Sequence, residues 1–141
     1  MNTSKPCSLT EEEIINAPES EYMNKEQLGF FRQKLLDLHK STCVRIQEAK
    51  DQMVSPMDFS DPSDRASCEE QSNIALRIVE REQKLLPKIQ QSLERIRLGE
   101  YGYCLESGEP IGIPRLLARP TAEYCAEVKT LKEIKENHYN G

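Results

Sequence analysis

The chain has 141 residues, of which 37% are hydrophobic and 30% are charged, and its formal net charge at pH 7 is −5. This composition is too lean for a large spherical core, so we expect one domain, or a small domain with an extended appendage, built from long exposed helices. The negative charge argues against binding a nucleic-acid backbone over a broad surface, and no apolar segment suggests a membrane span or secretion. Five cysteines, an odd number, indicate a reducing cytoplasm, and we expect a monomer.

The N-terminal part predicts an arm followed by a long helix. Residues 1–22 are polar and acidic, and we expect a loose arm with one short helix, where Thr10 and Glu13 can form a capping box. Asn24 is the predicted N-cap of the first long helix, with Gln27 at its third position. Apolar residues then recur mostly three or four positions apart, which predicts one buried stripe: Leu28, Phe31, Leu35, Leu38, Ile46, Ala49 and Met53. Ser55-Pro56 is the predicted end.

A second long helix has its own start signal. Asp61 is a suitable cap, Pro62 suits the first helical position, and Asp64 adds an acid to the first turn. Its apolar residues run to Gly99 and are Ile74, Ile78, Leu85, Ile89, Leu93 and Ile96. Two such helices with a short connection predict an antiparallel coiled-coil hairpin over residues 23–98, with its tip near residues 56–66. Pro87 predicts a kink in the second helix.

Residues 99–141 predict a compact knuckle and a C-terminal helix, because glycines and prolines cluster there before a final helical pattern. The last helix is expected to begin after Pro120 with Thr121 as its cap, and to turn Val128, Leu131 and Ile134 inward. The whole chain is therefore predicted to be mainly α, with the hairpin carried on a small globular head.

The knuckle has the outline of a zinc ribbon that lacks half its ligands. Cys104 and Cys125 are separated by a gap that fits two Cys-x2-Cys knuckles, but the second positions are Ser107 and Val128. With two thiolates left, we predict no metal site and no structural zinc. A small apolar core is expected to replace the ion, formed by Leu105, Ile111, Ile113, Leu116, Leu117, Val128 and Leu131.

The two knuckle cysteines have three interpretations: buried core thiols, a redox pair that forms a disulfide, or a weak metal site. The other cysteines, at positions 7, 43 and 68, have no partner spacing, and the two histidines, at positions 39 and 138, are isolated. No nucleophile, base and orienting acid can be assembled from them, so we expect no enzyme and no catalytic residue.

Several motifs together resemble the bacterial DksA/TraR family of transcription regulators over about residues 20–135. They are Glu21-Tyr-Met-Asn24, Asp61-Pro-Ser-Asp-Arg-Ala66, Tyr101-Gly-Tyr-Cys104, Glu109-Pro-Ile-Gly112, Arg115-Leu-Leu-Ala-Arg-Pro-Thr-Ala122 and Cys125. The resemblance implies a hairpin that enters the secondary channel of bacterial RNA polymerase and binds polymerase, with no direct sequence-specific DNA binding. Most members carry four cysteines, so this chain resembles a zinc-independent paralogue.

The resemblance also implies two sets of functional residues. The polymerase active-site tip corresponds to Asp61, Asp64 and Ala66, although both carboxylates also suit an ordinary helix N-terminus. The family's co-regulator at the polymerase interface is guanosine tetraphosphate (ppGpp). The positions that match its binding surface are Arg81, Leu85, Lys88, Arg119 and Lys129. The alternative interpretation of these residues is ordinary solvated helix charge.

The sequence therefore favours a non-enzymatic regulator of promoter complex stability. A cytoplasmic thiol-based redox or metal sensor that uses Cys104 and Cys125 is the alternative.

Overall fold

Helices make up most of the structure, a computed structural model that describes residues 9–53 and 61–140, with the side chains of residues 136–140 outside the description. The helices are α1 (Glu11–Ile15), α2 (Lys25–Asp51), α3 (Pro62–Leu98), α4 (Ile113–Ala118) and α5 (Ala126–Asn140), with a 3-10 turn at Glu19–Glu21. An isolated antiparallel bridge joins Tyr103 and Pro110. The mainly α fold, the long helical hairpin of α2 and α3 and the C-terminal helix are confirmed.

The chain forms two compact units, which we describe separately. The head unit comprises Met1–Leu35 and Gln91–Gly141, and the helical unit comprises Leu36–Gln90. The predicted three-part division into residues 1–22, 23–98 and 99–141 remains a prediction about domains. In the part of the chain that the structure describes, none of the helices is both long and apolar enough to cross a membrane.

Side-chain caps fix the helix starts as the sequence predicts. Thr10 Oγ1 accepts a hydrogen bond from the Glu13 N–H at 3.2 Å, and the Glu13 carboxylate accepts one from the Thr10 N–H at 2.9 Å. At α2, Asn24 Oδ1 accepts from the Gln27 N–H at 2.9 Å. At α3, Asp61 Oδ1 accepts from the Ser63 N–H at 3.0 Å. These bonds satisfy backbone donors that the helix itself leaves unpaired.

The helical unit is held by a narrow apolar seam. Ile46 and Ala49 from α2 are buried with Ala75 and Val79 from α3. Three partly buried residues extend the seam: Met53, Ile78 and Leu86. Small and β-branched side chains at these positions let the two helices pack closely, as in a coiled coil.

A polar layer with two buried members, Thr42 and Glu82, accompanies this seam. The Arg45 guanidinium donates to Glu82 Oε1 at 2.9 Å and to Thr42 Oγ1 at 3.2 Å. The Glu82 side chain is 11% exposed, so this carboxylate needs its arginine partner to offset the cost of desolvation. The ion pair joins α2 to α3.

The helix ends inside the hairpin differ in part from prediction. α2 ends at Asp51, and the predicted stop at Ser55-Pro56 lies outside the described residues. α3 continues through Pro87 as one helix. The kink predicted at this proline remains a prediction.

The head unit has a dense core formed by large side chains from four of its segments. The fully buried members are Ile14, Phe31, Leu35, Tyr101 and Leu116. The rings of Phe31 and Tyr101 are 5.6 Å apart between centroids, and the Tyr101 hydroxyl donates to the Pro120 carbonyl at 2.6 Å. Burial raises the pKa of Tyr101, so its hydroxyl stays protonated as a donor.

The expected loose arm is wrong for residues 9–22. Ile14 is 1% exposed, and α1 packs against α4. The Tyr22 hydroxyl reaches the knuckle, where it donates to the Gly102 carbonyl at 2.6 Å and accepts from the Gly112 N–H at 3.0 Å. A short polar segment can thus be ordered by two well-placed residues, whatever its average composition.

The C-terminal helix begins later than predicted. α5 starts at Ala126, with its first turn closed by the Lys129 N–H on the Cys125 carbonyl at 2.9 Å. Thr121 does not cap it and is 8% exposed.

The predicted inward face of α5 is also wrong. Leu131 is 63% and Ile134 is 58% exposed, while Val128 is half-buried. The reason is the rotation of the helix, which places the Lys132 ammonium 4.7 Å from the Tyr124 ring centroid and 4.0 Å from the Glu106 carboxylate. A cation over an aromatic face and beside an acid is well accommodated at such a surface.

The predicted core of the knuckle is correct in its centre only. Ile111 and Leu116 are buried, and Ile113 and Leu117 are half-buried. Leu105 is 54% exposed, so it lies outside the core. Leu116 enters the core because it belongs to α4, a short helix that the sequence analysis did not predict.

Candidate functional site

The hairpin tip presents the predicted residues on an exposed helix start. Asp61 is the cap of α3, Asp64 lies in its first turn, and Ala66 follows, all three exposed. The Asp61 carboxylate already accepts a backbone hydrogen bond, and acids here are favoured by the helix dipole. These carboxylates therefore stabilise the start of α3, by capping and by their interaction with the helix dipole. Their exposure also leaves them accessible to a partner.

Arg81, Leu85 and Lys88 lie on one face of α3, because their spacing of four and three residues matches the helical repeat. Arg81 is 75% exposed in its side chain, with Nε 3.6 Å from Glu82 Oε2. Lys88 is exposed and Leu85 is half-buried. The helical unit thus offers two cations beside an apolar side chain.

Arg119 and Lys129 belong to the head unit. Arg119 is exposed at the C-terminal end of α4, where its N–H donates to the Arg115 carbonyl at 2.8 Å. Lys129 lies in the first turn of α5 with its ammonium 3.9 Å from the Glu133 carboxylate. An exposed pair at this distance is weak, so a phosphate can compete for the lysine.

In the knuckle, Ser107 contacts both predicted cysteines. The Ser107 N–H donates to Cys104 Sγ at 3.5 Å, and Ser107 Oγ lies 3.9 Å from Cys125 Sγ. Cys104 is buried and Cys125 is half-buried, and both are free thiols. The loop is closed by backbone bonds, in which the Cys104 N–H donates to the Glu109 carbonyl and the Gly108 N–H to the Cys104 carbonyl.

The environment of Cys104 favours its thiolate. Burial raises the pKa of this thiol, but hydrogen bonds from the Ser107 hydroxyl and from the backbone N–H groups of Ser107, Cys125 and Glu106 outweigh burial and lower the pKa to about 6. Donors that point at a sulfur stabilise the charged form. Sequence analysis treated Ser107 only as a poor metal ligand and missed this role.

The donor set does not fit a four-ligand zinc site. A structural zinc needs four soft or nitrogen donors in a tetrahedron, and the four positions here hold two thiols, a neutral hydroxyl and the aliphatic Val128. Among the described side chains, those of residues 9–53 and 61–135, no group of three or more histidine, cysteine or acidic residues could hold a metal ion.

Side chains from outside the loop hold the knuckle together. The Arg95 guanidinium donates to the carbonyls of Glu100 and Tyr103 at 3.0 and 2.6 Å, and Arg115 Nε donates to the Tyr124 carbonyl at 3.0 Å. These bonds pair loop carbonyls that burial would otherwise leave unsatisfied. Sequence analysis missed these hydrogen bonds. Arg115, like Tyr101, belongs to the motifs that carry the family resemblance, but no sequence pattern predicted which carbonyl each side chain would contact.

Comparison with known proteins agrees with this architecture. The family profile described as "DnaK suppressor protein DksA, N-terminal domain" matches residues 27–96, and that described as "Prokaryotic dksA/traR C4-type zinc finger" matches residues 99–133. A Haemophilus influenzae protein named RNA polymerase-binding transcription factor DksA is 42% identical over 127 residues, 87% of this chain and 86% of the relative. The chain belongs to the DksA/TraR family.

Two further relatives extend the match to this DksA-like chain. The Escherichia coli protein of the same name is 40% identical over 129 residues, 88% of this chain and 83% of the relative. A solved structure of transcription factor DksA2 from Pseudomonas aeruginosa is 44% identical with a TM-score of 0.79, and the match covers 92% of this chain and 100% of that chain.

Proposed function

We propose that this chain is a non-enzymatic transcription regulator that binds bacterial RNA polymerase and inserts its hairpin tip into the secondary channel. The observation that carries the proposal is the 42% identity over 87% of the chain to a protein named RNA polymerase-binding transcription factor DksA. The partner also sets the compartment, which is the cytoplasm. The regulator acts as a monomer and contacts polymerase without reading DNA sequence.

The exposed acids at the start of α3 support the role of the tip. Asp61 and Asp64 place negative charge at an accessible helix terminus, which suits a basic, metal-containing channel. Such charge perturbs the mobile elements or the metal field near the active site and destabilises weak promoter complexes. No bond of a substrate is broken in this mechanism, and Ala66 keeps the surface beside the acids small.

Guanosine tetraphosphate is the proposed co-regulator at the polymerase interface. The helical unit offers Arg81 and Lys88 beside Leu85 on α3, and the head unit offers Arg119 and Lys129. Arg81, Lys88 and Arg119 are exposed. Guanidinium and ammonium groups form charge-assisted hydrogen bonds with pyrophosphate oxygens. The pair between Lys129 and Glu133 is weak enough for the nucleotide to displace the glutamate.

Transcription from a ribosomal RNA promoter in vitro, titrated with the nucleotide at saturating protein, tests this function. The parent is expected to inhibit more strongly as the nucleotide rises. Arg119→Ala or Lys129→Ala each removes about one charged hydrogen bond, worth roughly 1.5–3 kcal/mol, so the midpoint should rise about ten- to a hundredfold. Lys135→Ala, which removes an exposed cation of the same helix, is the matched control. Equal losses with and without nucleotide would assign these residues to general docking.

We also propose that the knuckle folds without zinc. The support is the mismatch of donors, since Ser107 and Val128 occupy two of the four positions, together with an apolar centre around Leu116 and the side-chain bonds that close the loop. No cofactor is required for folding under this proposal.

A thiol-based sensor is the second candidate function, and the contact of Ser107 with both sulfurs favours it. Cys104 and Cys125 would be the candidate redox pair. Such a sensor needs a thiolate that is both low in pKa and accessible. Hydrogen bonds lower the pKa of Cys104 to about 6, but Cys104 is 3% exposed, so the half-buried Cys125 is the more accessible member of the pair.

The pH dependence of the thiolate tests that candidate. The ultraviolet thiolate absorbance of the parent minus that of Cys104→Ser should titrate with a midpoint near 6, below the ordinary value of 9.0. Since the folded pKa is lowered, the thiolate contributes stability that is complete above pH 9 and lost as the pH falls through 6. Ser107→Ala should move the midpoint upward. A parent midpoint near 9 would remove the support for a sensor.

A further inference from the structure

An exposed thiol and an imidazole contact each other on α2, far in sequence from the knuckle. Cys43 Sγ lies 3.9 Å from His39 Nδ1. Cys43 is exposed and His39 is half-buried. Sequence analysis treated both residues as isolated, which is wrong, because a spacing of four residues places side chains on the same face of a helix.

The geometry of this pair suits two ligands of one metal ion. Zinc binds thiolate sulfur at about 2.3 Å and imidazole nitrogen at about 2.0–2.1 Å, so tetrahedral ligands of these types are separated by about 3.6 Å. The observed 3.9 Å needs only a small side-chain rotation. Because α2 is continuous from Lys25 to Asp51, the two side chains are carried on a regular backbone, which keeps this spacing.

We propose that His39 and Cys43 form a two-ligand site for a divalent transition metal ion of the zinc class. On binding, the Cys43 thiol releases its proton to solvent and the sulfur displaces one water from the ion, while the neutral imidazole displaces another. No electron is transferred. The remaining positions of the ion keep water, since the described residues supply no group of three ligating side chains.

This site differs from a structural zinc finger in its consequence. With two protein ligands the ion exchanges readily, so the folded chain does not depend on it. A bound ion bridges two successive turns of α2 and therefore stabilises the helix according to its concentration relative to its dissociation constant. The hairpin gains a metal-responsive element that is separate from Cys104 and Cys125.

Titration of the full chain with Zn²⁺, using a chromogenic chelator as competitor, tests the proposal. We expect one ion per chain at this pair. Cys43→Ser and His39→Gln should each weaken Zn²⁺ binding roughly tenfold or more. Mutation of a residue that only hydrogen-bonds to a metal ligand already lowers metal affinity about ten- to a hundredfold. Cys125→Ser, which removes a knuckle thiol, is the matched control and should leave this affinity unchanged.

A gain of function keeps the test independent of folding losses. Gln47 lies four residues beyond Cys43 and is exposed, so Gln47→His in the His39→Gln background places an imidazole one turn to the other side of Cys43 and should restore binding. Because the chain has two histidines, the imidazole resonances of His39 can be followed directly and should shift on addition of Zn²⁺. The proposal would be overturned if the Zn²⁺ affinity were unchanged in Cys43→Ser and His39→Gln, or if only Cys125→Ser lowered it. A stoichiometry of half an ion per chain would overturn it as well.

Discussion

Asp61 and Asp64 show how identical side chains divide their roles at one helix terminus. The Asp61 carboxylate accepts the Ser63 N–H at 3.0 Å and so caps α3. Asp64, in the first turn, is exposed. We therefore propose that Asp64 carries most of the regulatory charge of the tip.

Asp64→Asn is expected to abolish inhibition of a ribosomal RNA promoter while polymerase binding stays within about twofold. The substitution removes the charge with little change of shape, and asparagine is acceptable near a helix start. The measurement pairs inhibition with direct binding to polymerase. Glu69→Gln, which removes an exposed charge nearby on α3, should inhibit like the parent. An Asp64→Asn protein that binds and inhibits normally would show that the tip assignment is wrong.

Local chemistry at single residues is what the sequence predicts best. The caps at Asn24 and Asp61 were predictable because a cap depends on residues two or three positions away. The contact of Ser107 with Cys125 was not, because it needs the intervening loop to fold back. The pair of His39 and Cys43 was within reach of sequence reasoning, since the helical spacing alone brings the two side chains together.

At the scale of elements, the long helices were predictable and the short ones were not. α2 and α3 carry repeated apolar spacing over 27 and 37 residues. A pattern of this length predicts a helix even where single residues such as Pro87 favour a break. α4 has six residues, follows Gly112 and carries Pro114 at its second position, so the glycine and proline around its start predict a turn and not a helix. The face of α5 was misassigned because its three apolar residues compete with Lys132, whose contacts with Glu106 and Tyr124 set the rotation.

Gly102→Ala is expected to destabilise the head unit more than Gly99→Ala. Gly102 has a φ of 94°, and an added Cβ would lie 2.8 Å from Met23 Cγ. Gly99 has a φ of 77° with open space around it. Strain at a positive φ alone costs about 1–2 kcal/mol, so we expect that loss for Gly99→Ala and roughly 2–4 kcal/mol for Gly102→Ala.

Urea denaturation of the two variants beside the parent measures the difference. The additional loss of unfolding free energy in Gly102→Ala, relative to Gly99→Ala, reports the close packing of Met23 against Gly102. Equal free energies of unfolding for the two variants would contradict this packing.

At the scale of the whole molecule, the head unit of this member of a zinc-finger-type family carries side-chain hydrogen bonds to the carbonyls of its knuckle. The profile matched over residues 99–133 is a C4-type finger, yet the chain keeps two of the four cysteines. Tyr22, Arg95 and Tyr101 supply hydrogen bonds to loop carbonyls. Sequence reasoning identified the missing ligands but could not identify these bonds, because they join segments up to 80 residues apart.

Purified protein is expected to contain well under one equivalent of tightly held zinc and to keep its helicity in a strong chelator. The reason is the ligand count, since two thiolates cannot complete a tetrahedral structural site. Elemental analysis after exhaustive chelation, combined with circular dichroism, measures both quantities. Stoichiometric zinc whose removal unfolds the chain would contradict the proposed metal-free knuckle.

Cleavage of the bound chain by an iron ion in the polymerase active site tests the central claim most directly. Fe²⁺ in place of the catalytic Mg²⁺ reduces added hydrogen peroxide to hydroxide and a hydroxyl radical, becoming Fe³⁺, and the radical cuts only nearby backbone. If the tip enters the secondary channel, cuts should be confined to about residues 56–66 and should require polymerase. Tight binding to polymerase with no cleavage in this segment, or cleavage elsewhere along the chain, would contradict the account.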